Sequence, residues 1–169
     1  WVFLKIYSSI SMFGKDRFLK RRQGDSIMRQ SGILMHLSSL PSPYGIGTMG
    51  KAAYEFADFL QESGQKLWQM LPISPTSYGD SPYQSFSTFA GNPYFIDLDL
   101  LAKDGLLSAE DYAPLDWGGD PSRVDYAKIY ENRFPVLKKA YQCFAEKQPE
   151  DFEEFAAEQN EWLEDYALF

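Results

Sequence analysis

Residues 78–94, YGDSPYQSFSTFAGNPY, crowd rings, hydroxyls and one carboxylate into a stretch broken by glycine and proline. No helical or strand period runs through it, so it reads as a loop. Aromatic faces stack on the C–H faces of sugars, and Tyr, Ser, Gln and Asp groups exchange hydrogen bonds with sugar hydroxyls. Tyr78, Asp80, Ser81, Tyr83 and Gln84 supply both kinds of contact. The chemistry on offer is recognition of a neutral, hydroxyl-rich ligand. A structural role competes on even terms: Tyr83, Phe86, Phe89 and Tyr94 can equally pin a long loop to a core.

Other chemistry-bearing residues are sparse. His36 is the single histidine. It has no Asp or Ser partner in view and no metal-ligand spacing, so a satisfied core histidine in a strand is expected. Asp97 and Asp99 alternate with Leu98 and Leu100 and suit turn or helix-start roles. Cys143 is the one cysteine, so no internal disulfide is possible; a plain buried thiol and a reducing cytoplasm fit.

Composition narrows the classes. The chain has 169 residues, 44% of them hydrophobic and 17% aromatic, which is the profile of a packed protein. Its net charge of −8 argues against nucleic acid, which is bound by clustered Lys and Arg. The basic residues concentrate in Lys15–Arg22. Trp1–Phe13 is apolar but too short to span a membrane, and its charges follow the apolar run, which is the wrong order for a signal peptide. The run KRRQGDSIM before Met28 has the look of a purine-rich ribosome-binding site read in frame. The expectation is a fragment of something longer, with Met28 as its true start and residues 1–27 as translated upstream sequence. A genuine N-terminal extension and a start at Met12 are the alternatives.

The elements that must position the ring-rich loop follow from periodicity. Gly32–Leu40 is an apolar run closed by Pro41 and reads as a buried strand. Pro41–Gly50 is a loop, with Thr48 expected to cap the next helix. Ala53, Phe56, Ala57 and Leu60 form one helical face, and Gly64 ends it in the left-handed conformation. Gln65–Leu71 is a second strand, stopped by Pro72. Strand, helix, strand is a βαβ unit with parallel strands. The ring-rich loop follows its second strand, at the end where parallel α/β folds bind ligands. Beyond it, Leu100–Lys103 reads as a short helix ending near Gly105. Phe134, Leu137, Tyr141 and Phe144 mark another helix, with Pro135 near its first turn. Phe152, Phe155, Ala156, Trp162, Leu163 and Tyr166 mark the last. No third strand is evident. A barrel of this kind needs about 250 residues. The expected fold is therefore α/β: the opening part of a (β/α)8 TIM barrel, about two parallel strands, with a largely helical insertion after the second, and an incomplete domain.

SGILMHLSSLPSPYGIGTMG, LPISPTSYGDSPYQSFSTFAGNPYFIDL and EWLEDYALF together resemble the N-terminal part of the amylomaltases, the 4-alpha-glucanotransferases of glycoside hydrolase family 77. The resemblance runs from Met28 to Phe169; residues 1–27 have no counterpart in it. It implies a (β/α)8 catalytic domain that transfers α-1,4-glucan segments between maltooligosaccharide, starch or glycogen chains. The implied mechanism is retaining double displacement, with no cofactor and no metal. It also implies that the nucleophile and the acid/base lie beyond Phe169, so that no catalytic residue falls in this chain. Donor-site contacts carry over to Ser81 and Tyr83. Tyr83 matches the ring that stacks beside the scissile bond, and Tyr78 a ring of a second, non-catalytic glucan site in some members. Asn92–Pro93–Tyr94 belongs to the signature and is assigned to architecture. A non-catalytic glucan-binding module and an α-glucan hydrolase of the same clan are the competing readings.

Overall fold

The computed structural model describes residues 29–147 and 151–168. The expected leader, residues 1–27, lies outside them. β1 (Gly32–Leu34) and β2 (Leu67–Gln69) pair in parallel, with Gly32 opposite Leu67, Ile33 opposite Trp68 and Leu34 opposite Gln69. The Lys66 N–H to Ser31 (2.9 Å) and the Met35 N–H to Gln69 (3.0 Å) extend the ladder at its two ends. Gly32 permits the close approach, since a Cβ there would sit 2.5 Å from the Leu67 carbonyl oxygen. The expected βαβ unit is present.

The strands are shorter and less buried than their apolar runs predict. Leu34 is 59% and Leu67 53% exposed, while the alternate residues Ile33 and Trp68 are half-buried. Trp68 meets Phe56 of α1 (Lys51–Glu62) edge-on at 4.9 Å. A pair of strands covered by one helix buries one face only. After Leu34 the chain tightens into a 3-10 turn, Leu37–Ser39, which drives Leu37 fully into the core.

Gly50, not Thr48, caps α1. The reason is Asp97, whose carboxylate occupies the space a Cβ on Gly50 would need, 1.8 Å from Oδ2. Thr48 Oγ1 instead donates to that Oδ2 at 2.6 Å. The other oxygen of Asp97 accepts from the Leu100 N–H at 2.9 Å and caps α2 (Leu98–Lys103). One carboxylate thus ties together the starts of two helices. Gly64 and Gly105 follow α1 and α2 at φ +70 and +71, as their positions predict.

α3 (Tyr126–Lys147) is the longest described element, and it departs from expectation in the place of its proline. Pro135 lies inside it, not in its first turn. Pro135 and Glu131, the residue four before it, are both exposed, so water can take up the carbonyl left without a donor. Its buried face is Ile129, Arg133, Val136 and Ala140, whereas Phe134 and Tyr141 are 41% and 66% exposed. Arg133 is fully buried; Nε donates to the Pro93 carbonyl at 3.4 Å and Nη2 to the Ile96 carbonyl. Burial pulls its pKa down to about 10. The expected last helix is two: α4 (Asp151–Glu158) and α5 (Leu163–Leu168). The core lies where Leu37, Ile46, Leu98 and Ile129 meet, between the first 3-10 turn, α2 and α3. Cys143 is half-buried against it. Among the described residues no helix is long and apolar enough to cross a membrane.

Candidate functional site

The ring-rich loop is built from two tight turns. The Asp80 N–H donates to the Ser77 carbonyl (3.1 Å) and the Gln84 N–H to the Ser81 carbonyl (3.0 Å). The Ser77 N–H then reaches the Gln84 carbonyl at 3.1 Å, closing the excursion beside an antiparallel bridge between Thr76 and Ser85. Gly79, at φ +92, is the third residue of the first turn, a position that favours glycine. Asp80 follows at φ +55, the one non-glycine residue of positive φ among the described residues. A short polar side chain tolerates that conformation better than most, and such residues concentrate at functional sites.

The rings of the loop divide by role. Phe86 stacks on Tyr166 of α5 (6.2 Å, 10°) and Phe89 on Trp162 (5.8 Å, 23°). Tyr94 is buried and packs against Tyr126 and Phe134. Tyr83 is 73% and Tyr78 100% exposed. Tyr94 is thus the buried anchor, Phe86 and Phe89 keep 52% and 62% of their surface exposed while stacking on Tyr166 and Trp162, and Tyr83 and Tyr78 are more exposed still.

Beneath the loop, at the C-terminal ends of both strands, lies a cavity of about 190 Å³. Its lining includes His36 and Ser39 after β1, Thr76 after β2, Asp80 and Pro82 from the loop, and Tyr126 from α3. The volume admits several waters. Burial pushes the Asp80 carboxyl above its ordinary value. Burial, and then the Asp80 charge, raise Tyr94 and Tyr126. Asn92, 3% exposed, takes the Tyr94 N–H on its side-chain oxygen at 2.9 Å and sends its own N–H to the Ile73 carbonyl at 2.9 Å. This stitches the segment after β2 to the end of the loop, the architectural role expected of it; Asn92 also lines the cavity.

His36 corrects an expectation. It lies beyond β1, at the start of the 3-10 turn, and is not satisfied: its buried Nδ1 has no hydrogen-bond partner among the described residues. Phe95 packs edge-on to the ring at 5.5 Å, and burial lowers its pKa, favouring the neutral form.

The profile of one protein family, described as 4-alpha-glucanotransferase, matches residues 35–169. The chain belongs to the 4-alpha-glucanotransferase family. It is 58% identical over 142 residues to the 4-alpha-glucanotransferase of Streptococcus pneumoniae serotype 4, covering 83% of this chain and 28% of that protein. The Thermus thermophilus 4-alpha-glucanotransferase is 52% identical over 145 residues, with 83% and 28% covered. Among solved structures, the amylomaltase from Streptococcus agalactiae in complex with acarbose superposes with a TM-score of 0.77 at 49% identity, covering 83% of this chain and 28% of that one. The chain thus spans little more than a quarter of the length of these relatives.

In this 4-alpha-glucanotransferase segment the five candidate residues share one loop but not one environment. Asp80 faces the cavity, whereas Tyr78, Ser81, Tyr83 and Gln84 are not part of its lining. The Ser81 hydroxyl is 3.4 Å from the Tyr83 N–H and supports the second turn. His36 as an unsatisfied cavity residue, and Tyr126, were missed as site residues. Tyr126 carries no local signal, because it reaches the cavity only through the packing of α3.

Proposed function

We propose that this segment forms the donor-sugar platform of an enzyme that transfers α-1,4-glucan segments between maltooligosaccharide, starch or glycogen chains in the cytoplasm. Residues 28–169 are its N-terminal part, two strands of a (β/α)8 barrel with a helical insertion after the second. The observation that carries the reading is the 73% exposed ring of Tyr83, on a loop at the C-terminal ends of parallel strands in a chain of this family.

Tyr83 offers its face to the glucose whose anomeric carbon reacts. That sugar flattens and gains positive charge as its glycosidic bond breaks, so an electron-rich face binds it more tightly in the transition state than before. Ser81, Gln84 and Asp80 exchange hydrogen bonds with the sugar hydroxyls, and Tyr78 belongs to a second, non-catalytic glucan site. The reacting carboxylates come from later strands. One forms a glycosyl-enzyme bond as the leaving oxygen takes a proton from the other; an acceptor sugar hydroxyl then gives its proton to that second carboxylate and displaces the first from the anomeric carbon.

Product analysis tests the proposal. Protein expressed from the complete reading frame and given maltotriose is expected to release glucose together with oligosaccharides longer than the substrate. Glucose and maltose alone would mean hydrolysis. Binding without turnover would mean a glucan-binding module.

A further inference from the structure

We propose that a second, larger groove holds further glucose units of the same linear glucan, a site resting on the function proposed above. The groove has a volume of about 570 Å³ and lies between the loop that follows β1, Pro41–Ile46, and the loop that precedes α3, Trp117–Val124. Ser38, Ser39 and Ile46 line both this groove and the cavity under the ring-rich loop. The two spaces therefore lie on either side of one shared wall, so a glucan bound over Asp80 ends close to the groove.

The chemistry of the walls selects a neutral polyol. Ser38, Ser39 and Ser122 offer hydroxyls, while Pro41, Pro43 and Pro121 offer rigid C–H surfaces without an N–H. Its charged residues, Asp120 and Arg123, pair with each other at 3.2 Å, so the groove presents no free charge to an anion.

The walls are fixed before any ligand arrives. Gly45, at φ +74, lies so close to the opposite wall that a Cβ would come within 2.3 Å of the Trp117 carbonyl oxygen. That contact sets the spacing of the two loops. Asn132 of α3 holds the Asp116 carbonyl at 2.8 Å. Asp120 Oδ1 accepts from both the N–H (2.9 Å) and the hydroxyl (2.6 Å) of Ser122. Ordering costs that would oppose binding are already met.

Gly119 makes the test clean. It lines the groove, its φ lies outside the left-handed region, and a Cβ there meets nothing within 4 Å. Gly119→Trp, with Gly119→Gln as a smaller second variant, narrows the groove without backbone strain. In the complete enzyme, Gly119→Trp is expected to raise KM for maltoheptaose about tenfold more than KM for maltotriose, with a smaller shift of the same sign for Gly119→Gln. Calorimetric titration with maltoheptaose is expected to weaken in parallel. Equal changes for the two substrates, or none, would overturn the groove. If the unsubstituted protein transfers no glucan, the proposed activity fails and calorimetry alone decides. Weaker maltoheptaose binding in Gly119→Trp would then uphold the groove, and unchanged or absent binding would remove it.

Discussion

Asp80 concentrates the costs of the site in one residue. Its backbone is left-handed at φ +55, and burial holds its carboxyl above the ordinary 3.8. Below that value the group is neutral in folded and unfolded chains alike and costs nothing. As pH rises the unfolded chain ionises first, so the fold loses stability until pH passes the folded value, and the loss then stays in full. Asp80→Asn keeps the tolerance for left-handed backbone and removes the charge. Its melting temperature is expected to exceed that of the unsubstituted protein at about pH 7, with the gap closing on acidification toward about pH 4. Melts across that range check it; a gap independent of pH would contradict it. Residue types alone made Tyr78, Asp80, Ser81, Tyr83 and Gln84 candidates. What they could not reveal is that Phe86 and Phe89 stack on Tyr166 and Trp162 while Tyr83 stays 73% exposed, because a loop without a period carries no inside or outside. His36 was misplaced because an apolar run does not mark where a strand gives way to a turn.

At the scale of elements, one carboxylate and one proline carry the tests. Asp97 caps α2 and accepts the Thr48 hydroxyl beside the start of α1. Asp97→Ala loses a helix cap and leaves Thr48, itself 5% exposed, without that acceptor. A loss of about 2–3 kcal/mol is expected in denaturant unfolding, and a change below about 0.5 kcal/mol would contradict the account. Pro135 interrupts the hydrogen-bond ladder of α3. Pro135→Ala restores the missing N–H and relieves the ring's clash, so a gain of about 1–3 kcal/mol is expected in the same measurement. Destabilisation would mean that the proline ring itself is needed for packing. The most deeply buried positions of α3 are not among the residues that mark it in the sequence, for a physical reason. Arg133 and Ala140 are buried, one for its hydrogen bonds and one for its small size, and neither stands out as an apolar signal.

The whole molecule was legible in its order. Two apolar runs flanking an amphipathic helix place β1, α1 and β2 side by side in parallel, and the loop that follows is where such folds bind ligands. Burial was not legible, because it depends on what covers each face. Leu34 and Leu67 are apolar, yet more than half exposed. On the function proposed above, the loop after β2 is a sugar platform whose working ring is Tyr83. The decisive comparison is kcat/KM for maltotriose disproportionation by the complete protein, with Tyr83→Ala and Tyr83→Phe beside it and melting temperatures recorded for all. Tyr83→Ala is expected to lose about 2–4 kcal/mol in kcat/KM, part of it in kcat, with little change in melting temperature. Tyr83→Phe, which keeps the face and loses only the hydroxyl, should lose on the order of 1 kcal/mol. A Tyr83→Ala variant with unchanged kcat/KM, or one whose only defect is a lower melting temperature, would contradict that role of Tyr83.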